Sequence, residues 1–243
     1  MIKKVIVPFA IALALVFPLK EKVVAATPDS VKIAYFFTGP LDEPWAQAMY
    51  RAVQRVKKDT PKGLIIKDKW FEKVPIDDYE KFIRDVVLTG LFDIIWLHDA
   101  SAGTDPVDSL RKEFPKQIFP VTASNYRPVG GNAYWIQAYA HEAAYLSGVI
   151  AGMVTKTDSI GMVAGFPYAS VNHLLNAFAD GAKSVNSRVK FKVAYIEAWW
   201  DPVKAKETAL AQIEAGADVI YSERYGAFEA ARDKKILAFG NQA

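Results

Sequence analysis

Val189-Lys190-Phe191-Lys192-Val193-Ala194-Tyr195-Ile196-Glu197-Ala198-Trp199-Trp200-Asp201-Pro202 decides the architecture. The β-branched and aromatic run over 189–197 reads as a strand. Asp201 followed by Pro202 is the pairing of a capping carboxylate with a proline whose missing N–H is harmless in a first helical turn. That pairing predicts a helix over 202–215. A second strand over 218–222 comes next. Strand, helix and strand of these lengths make one unit of a parallel sheet covered by helices. Between strand and helix stand Trp199 and Trp200, beyond the carboxyl end of a strand, where open α/β folds bind ligands.

The same alternation extends in both directions. Upstream, a strand over 159–164 leads to a helix over 170–185. Downstream, a helix over 227–234 leads to a strand over 236–239. Nearer the N-terminus, strands are predicted over 31–37, 63–71, 93–97, 117–123 and 132–137, with helices over 44–58, 77–88 and 106–114. Pro44 stands in the first turn of the 44–58 helix, with Trp45, Met49, Val53 and Val56 on one side. Gly90 stops the 77–88 helix, whose apolar stripe is Phe82, Ile83, Val86 and Val87. The helix over 141–155 carries Ala143, Ala144, Gly148, Ala151 and Gly152, small residues that permit close packing on a sheet. A Pro/Gly stretch over 126–131 precedes the crossing between lobes. The expected organisation is a leader over 1–26, an N-terminal α/β lobe over 27–137 and a C-terminal α/β lobe over 138–243.

The leader is read from charge and hydropathy. Met1-Ile2-Lys3-Lys4 is a basic start, residues 5–19 are almost continuously apolar, and Val24-Ala25-Ala26 offers small residues for cleavage before Thr27. That is the layout of a secretory signal. The apolar run is shorter than the roughly 20 residues of a spanning helix. The chain's formal charge of +3 resides wholly in these first residues, so the remainder is neutral and offers nothing to nucleic acid or an anionic membrane. The sequence contains no cysteine, which excludes disulfides, a thiolate nucleophile and a lipid-modified cysteine anchor. A secreted, periplasmic or cell-surface location is expected.

Each predicted strand is followed by polar or aromatic residues on one rim. Asp42 and Trp45 follow the first strand. His98 and Asp99 follow the third and Asn125 the fourth. Phe166 and Ser170 follow the 159–164 strand, and Glu223-Arg224-Tyr225-Gly226 the 218–222 strand. Aromatic rings with a few polar groups are the usual lining of a small-molecule pocket. Trp45 from one lobe and Trp199 and Trp200 from the other suggest a clamp on a flat ligand. Plainer roles compete. Asp201 is first a helix cap, Asp42 and Ser170 can cap helices too, Trp45 can be a core contact beside Met49, and Trp200 can pack under its own loop. His98 and His173 read as ordinary polar residues, and Lys204, Lys206 and Glu207 as a solvated helix face.

Catalytic patterns are weak. There is no Gly-x-Ser-x-Gly elbow, phosphate loop or metal pair at helical spacing, and Gly161-Met162-Val163-Ala164-Gly165 lacks dinucleotide-turn spacing, so no cofactor or metal is expected. The spacing of Asp42, Asp99, Glu197, Asp201 and Glu223 does not argue for an acid–base pair.

Five sets of stretches remain: Glu142-Ala143-Ala144-Tyr145-Leu146-Ser147-Gly148-Val149-Ile150-Ala151-Gly152-Met153 with Thr155-Lys156 and Ile160-Gly161, Asn176-Ala177-Phe178 with Gly181-Ala182, Trp199-Trp200-Asp201-Pro202 with Lys204 and Lys206, Gly216-Ala217-Asp218-Val219-Ile220, and Ile236-Leu237-Ala238-Phe239-Gly240. Together they resemble the basic membrane protein family, the purine-nucleoside-type substrate-binding proteins of ABC importers. The similarity is densest over 138–240 and collinear over 31–137. It implies a periplasmic-binding fold of the first type, two Rossmann-like lobes with parallel sheets. It also implies a purine base or nucleoside held between an N-lobe aromatic at Trp45 and a C-lobe aromatic at Trp199, and an ABC permease as partner. Ala169 stands where relatives carry an acid, and the 222–226 loop is short, so a free base fits as well as a nucleoside. Relatives continue through a further return to the first lobe. A chain stopping near the second hinge is expected to be a fragment or an incompletely predicted reading frame, with an uncovered edge or face on the first sheet.

Stacking a base on one aromatic contributes ~1–3 kcal/mol. Two faces supply roughly 2–6, whereas micromolar affinity needs about 8. Polar groups must supply the rest, and Asp42, Asp99, Asn125 and Glu223 are the candidates. A sugar on the same fold, a secreted nucleoside-processing enzyme and a signalling sensor lobe are the rival readings.

Overall fold

The computed structural model describes residues 29–60, 63–98, 105–122 and 131–241. The leader over 1–26, Asp99, Asn125 and most of the Pro/Gly stretch lie outside the described residues.

The alternation read from the sequence is present throughout. In the first half, β1 (Ser30–Phe36) leads to α1 (Pro44–Lys58), β2 (Ile65–Phe71) to α2 (Tyr79–Leu88), and β3 (Ile94–Leu97) to α3 (Asp105–Glu113), followed by β4 (Phe119–Thr122) and β5 (Ala133–Ile136). In the second, α4 (Ala140–Val154), β6 (Ser159–Ala164), α5 (Ala169–Val185), β7 (Lys190–Tyr195), α6 (Pro202–Glu214), β8 (Val219–Ser222), α7 (Ala227–Asp233) and β9 (Leu237–Gly240) follow. Two parallel sheets result, one of order β2-β1-β3-β4-β5 and one of order β7-β6-β8-β9. Residues 137–139 carry the chain from one to the other.

Side-chain alternation splits each sheet into two buried faces. On the first sheet, Ala34, Phe36, Ile95, Leu97, Phe119 and Val121 pack with Tyr79, Ile83 and Val87 of α2 and Val107 and Leu110 of α3. The opposite face, Ile33, Tyr35 and Phe37, receives Ala46 and Val53 of α1. On the second sheet, Ile160, Met162, Val219 and Tyr221 meet α4 and α5, while Val163 and Ile220 meet the alanine-rich faces of α6 and α7.

Three local expectations need correction. Val56 is 54% exposed, because the buried stripe of α1 centres on Ala46 and Val53. Pro44 occupies the first helical position of α1, so the cap falls to Glu43 and not Asp42; the Glu43 carboxylate accepts the Ala46 N–H at 3.0 Å. Ser170 lies inside the first turn of α5 rather than at its cap, which is Tyr168. Asp201 does cap α6, accepting the Lys204 N–H at 2.9 Å.

The small residues of α4 lie against a helix as well as the sheet. Ala144 and Ala151 join the sheet-facing core, Gly148 and Gly152 abut the α5 backbone, and Ala143 is exposed. Tyr134 and Ile136 of β5 and Leu146, Ile150 and Met153 of α4 are exposed apolar side chains. Among the described residues no helix is long and apolar enough to cross a membrane.

Candidate functional site

β1 pairs with β2 on one side and β3 on the other, and β6 with β7 and β8. Strand order therefore reverses at β1 and at β6, and a crevice opens beyond the carboxyl ends there. A cavity of about 390 Å³ occupies that place, a volume suited to a small heterocycle or nucleoside. The first half contributes Phe37, Thr38, Gly39, Glu43, Trp45, His98 and Thr122. The second contributes His141, Ser170, His173, Trp199, Trp200, Glu223 and Arg224, with Gln137 and Ala138 of the connecting segment between them.

Trp45 reaches the cavity because Pro44 starts α1 directly after the loop leaving β1. His98 lies face-on to it, centroids 4.8 Å apart and planes at 13°, and meets Phe37 edge-on at 5.1 Å. One face of the indole is thereby backed by the N-lobe itself. Trp199 is held more elaborately. β7 ends at Tyr195, and Glu197, whose N–H donates to Gly165 O at 2.8 Å, takes a left-handed φ of 55° that turns the chain toward the cavity. For a non-glycine residue this conformation costs roughly 1–2 kcal/mol. The indole packs at 4.9 Å from Phe166 and 5.7 Å from Tyr168. A Cβ at Gly165 would sit 3.0 Å from its ring, so any side chain there would push the indole by a few tenths of an ångström.

Of the sequence-predicted residues, Trp45, Trp199, Trp200 and Glu223 line the same cavity. Trp200 is also half exposed and stands edge-on to Tyr225 at 5.4 Å. Phe166 is displaced from the lining and supports Trp199 from behind. Asp42 lies outside the cavity, in an adjoining groove that Lys73, Phe166, Glu197 and Trp199 also line. The Glu223 carboxylate is already committed, accepting the Gly165 N–H at 2.6 Å and Arg224 Nη2 at 2.7 Å.

The cavity also gathers residues the sequence did not nominate. All three histidines of the chain line it. His141 of α4 and His173 of α5 stack on each other at 4.1 Å. Glu43 and Arg224 bring charge from opposite lobes. The Tyr225 phenol is pushed up to about 12, mainly by burial, with the Glu43 carboxylate across the cleft adding to the effect and Arg224 opposing it. Among the described residues no cluster of three metal-ligating side chains occurs.

A family model for PnrA-like ABC transporter substrate-binding proteins matches residues 30–239. The chain is 38% identical over 141 residues to a putative ABC transporter glucose-binding protein of Haloferax volcanii, covering 57% of this chain and 36% of that one. It is 33% identical over 138 residues to a purine-binding protein of Brucella abortus, covering 56% and 39% respectively. A nucleoside-binding ABC transporter protein of Lactococcus lactis is 37% identical over 81 residues, 33% of this chain and 23% of that protein. The chain thus spans well under half the length of these relatives. Its fold matches an ABC solute-binding protein of Aeropyrum pernix with TM-score 0.74 at 17% identity, covering 86% of this chain and 61% of that one.

Proposed function

Since the chain belongs to the Bmp family of PnrA-like ABC transporter substrate-binding proteins, we propose that it is an exported solute receptor. It holds a purine base or nucleoside between Trp45 and Trp199 and delivers it to an ABC permease. The observation that carries this reading is that an indole from each half lines one cavity of about 390 Å³ between the two sheets. Each ring is packed by its own half, Trp45 by His98 and Trp199 by Phe166 and Tyr168, and both line the cavity in which a flat ligand would lie. Similarity to proteins described as purine-binding and nucleoside-binding supports the same ligand class.

Mechanistically, the open lobes expose both rings, and ligand favours the closed arrangement by its greater affinity for it. Residues 137–139, which join the sheets and contribute Gln137 and Ala138 to the lining, are the hinge. Polar reading of the base edge falls to groups that face the cavity, Thr38, Ser170 and Gln137, because Glu223 is engaged within its own lobe. The basic, apolar and small-residue pattern of 1–26 supports export with cleavage before Thr27.

The test is a titration of adenosine, guanosine and adenine followed by tryptophan fluorescence, with Trp199→Ala as the control. Losing one stacked face is expected to weaken binding by ~1–3 kcal/mol. Unchanged affinity in the variant removes the stacking role.

A second reading has one specific observation in its favour, the 38% identity to a protein described as glucose-binding. Sugars also lie flat against indoles. Glucose in the same titration separates the two: saturation by glucose with no response to purines selects the sugar.

A further inference from the structure

We infer that Arg224 is a positioning residue for the ligand platform, fixing Trp199 in its binding orientation through a buried ion pair with Glu223. The inference rests on the reading of Trp199 as a stacking surface. Glu223 and Arg224 are 3% and 5% exposed, adjacent in sequence at the end of β8. Their contacts bind together the ends of three neighbouring strands. Glu223 accepts the Gly165 N–H that follows β6 at 2.6 Å, and its other oxygen accepts Arg224 Nη2 at 2.7 Å. Arg224 Nη1 donates to the Trp199 carbonyl oxygen that follows β7. The guanidinium carbon also lies 5.2 Å from the Trp199 ring centroid, within cation–π range. The Arg224 N–H is itself fixed by Ser222 Oγ at 2.9 Å.

This arrangement needs a planar fork. One nitrogen of the guanidinium serves the carboxylate and another the carbonyl, while its carbon stays within cation–π distance of the indole. A lysine ammonium keeps the charge but cannot meet all three demands at once. The pair is poorly placed to bind ligand directly, since both Glu223 carboxylate oxygens and both Arg224 Nη nitrogens are engaged inside their own half of the protein. Its contribution is preorganisation: the ring is held before ligand arrives, so less freedom is lost on binding.

The experiment compares the parent protein, Arg224→Lys, Trp199→Leu and the double variant. Without ligand, the Trp199 contribution to near-ultraviolet circular dichroism is the parent spectrum minus that of Trp199→Leu. It is expected to fall by about half or more in Arg224→Lys, as a ring losing its fixed surroundings does. An undiminished Trp199 band overturns the inference. With adenosine, Arg224→Lys is expected to weaken binding about tenfold when Trp199 is present. In the Trp199→Leu background it is expected to have no more than about a twofold effect, because coupled residues are not additive. Equal weakening in both backgrounds also overturns it. If the parent binds no purine, the functional reading fails while the ligand-free spectra still decide the positioning role. Should Arg224→Lys unfold, Glu223→Gln decides by the same readouts, since its amide oxygen still accepts the Gly165 N–H while its amide nitrogen, a donor, cannot accept Arg224 Nη2.

Discussion

At the scale of single residues, Trp199 is the most heavily restricted side chain of the cavity wall. Gly165 leaves space for its ring, Phe166 and Tyr168 prop it, and Glu197 turns the chain toward the cleft. Burial elsewhere has a pH signature. Burial, reinforced by Asp68 and Glu223 respectively, pushes the Tyr35 and Tyr221 phenols far up, and Tyr225 is raised to about 12. A raised folded-state value means stability is complete below the unfolded tyrosine value of about 10 and declines as pH rises beyond it. We therefore expect denaturation midpoints to hold constant between pH 8 and 9.5 and to fall progressively above pH 10. Spectrophotometric titration at 295 nm should show phenols that ionise only as the protein unfolds. All eleven tyrosines titrating together near pH 10 in the folded protein would contradict the burial. The acid side works through Asp218. Burial pushes its carboxyl up, but hydrogen bonds from Thr155, the Lys156 N–H and Thr157 prevail and hold it below the usual range.

At the scale of elements, the closest packing is between α4 and α5. A Cβ at Gly148 would lie 2.0 Å from Phe178 O, and one at Gly181 2.0 Å from Tyr145 O, so the two helix backbones approach to a distance only glycine allows. Gly148→Ala is expected to cost at least about 1–3 kcal/mol, an overpacking penalty made worse because the obstacle is backbone. Urea unfolding checks this; a midpoint equal to the parent's would show that the helices can separate freely. The elements themselves were legible in the sequence because period and punctuation agree: Pro44, Pro202 and the apolar strands bound α1, β6 and α6 closely. Trp45, Trp199 and Trp200 were legible as cavity residues because their distance from a strand end places them on the rim. Glu43 was missed as a cap although Pro44, in the first helical position, makes residue 43 the cap. The Glu223–Arg224 pairing with Gly165 and Trp199 was not legible, since it depends on the registers that place β6, β7 and β8 side by side. The His141–His173 stack likewise depends on how two helices meet.

At the scale of the whole molecule, two parallel sheets contribute complementary halves of one cavity. The first supplies Trp45 and its His98 backing, the second Trp199 and its brace, and residues 137–139 join them. If an indole from each half grips the ligand, both rings touch it in the same role. The most direct test is a nuclear Overhauser experiment on protein with isotope-labelled tryptophan and unlabelled adenosine, the resonances assigned by Trp45→Phe and Trp199→Phe. The account predicts transfer from the purine H2 and H8 protons to the indole protons of both Trp45 and Trp199. Transfer to neither ring, or to one lobe's ring alone with the ligand saturating, would contradict it.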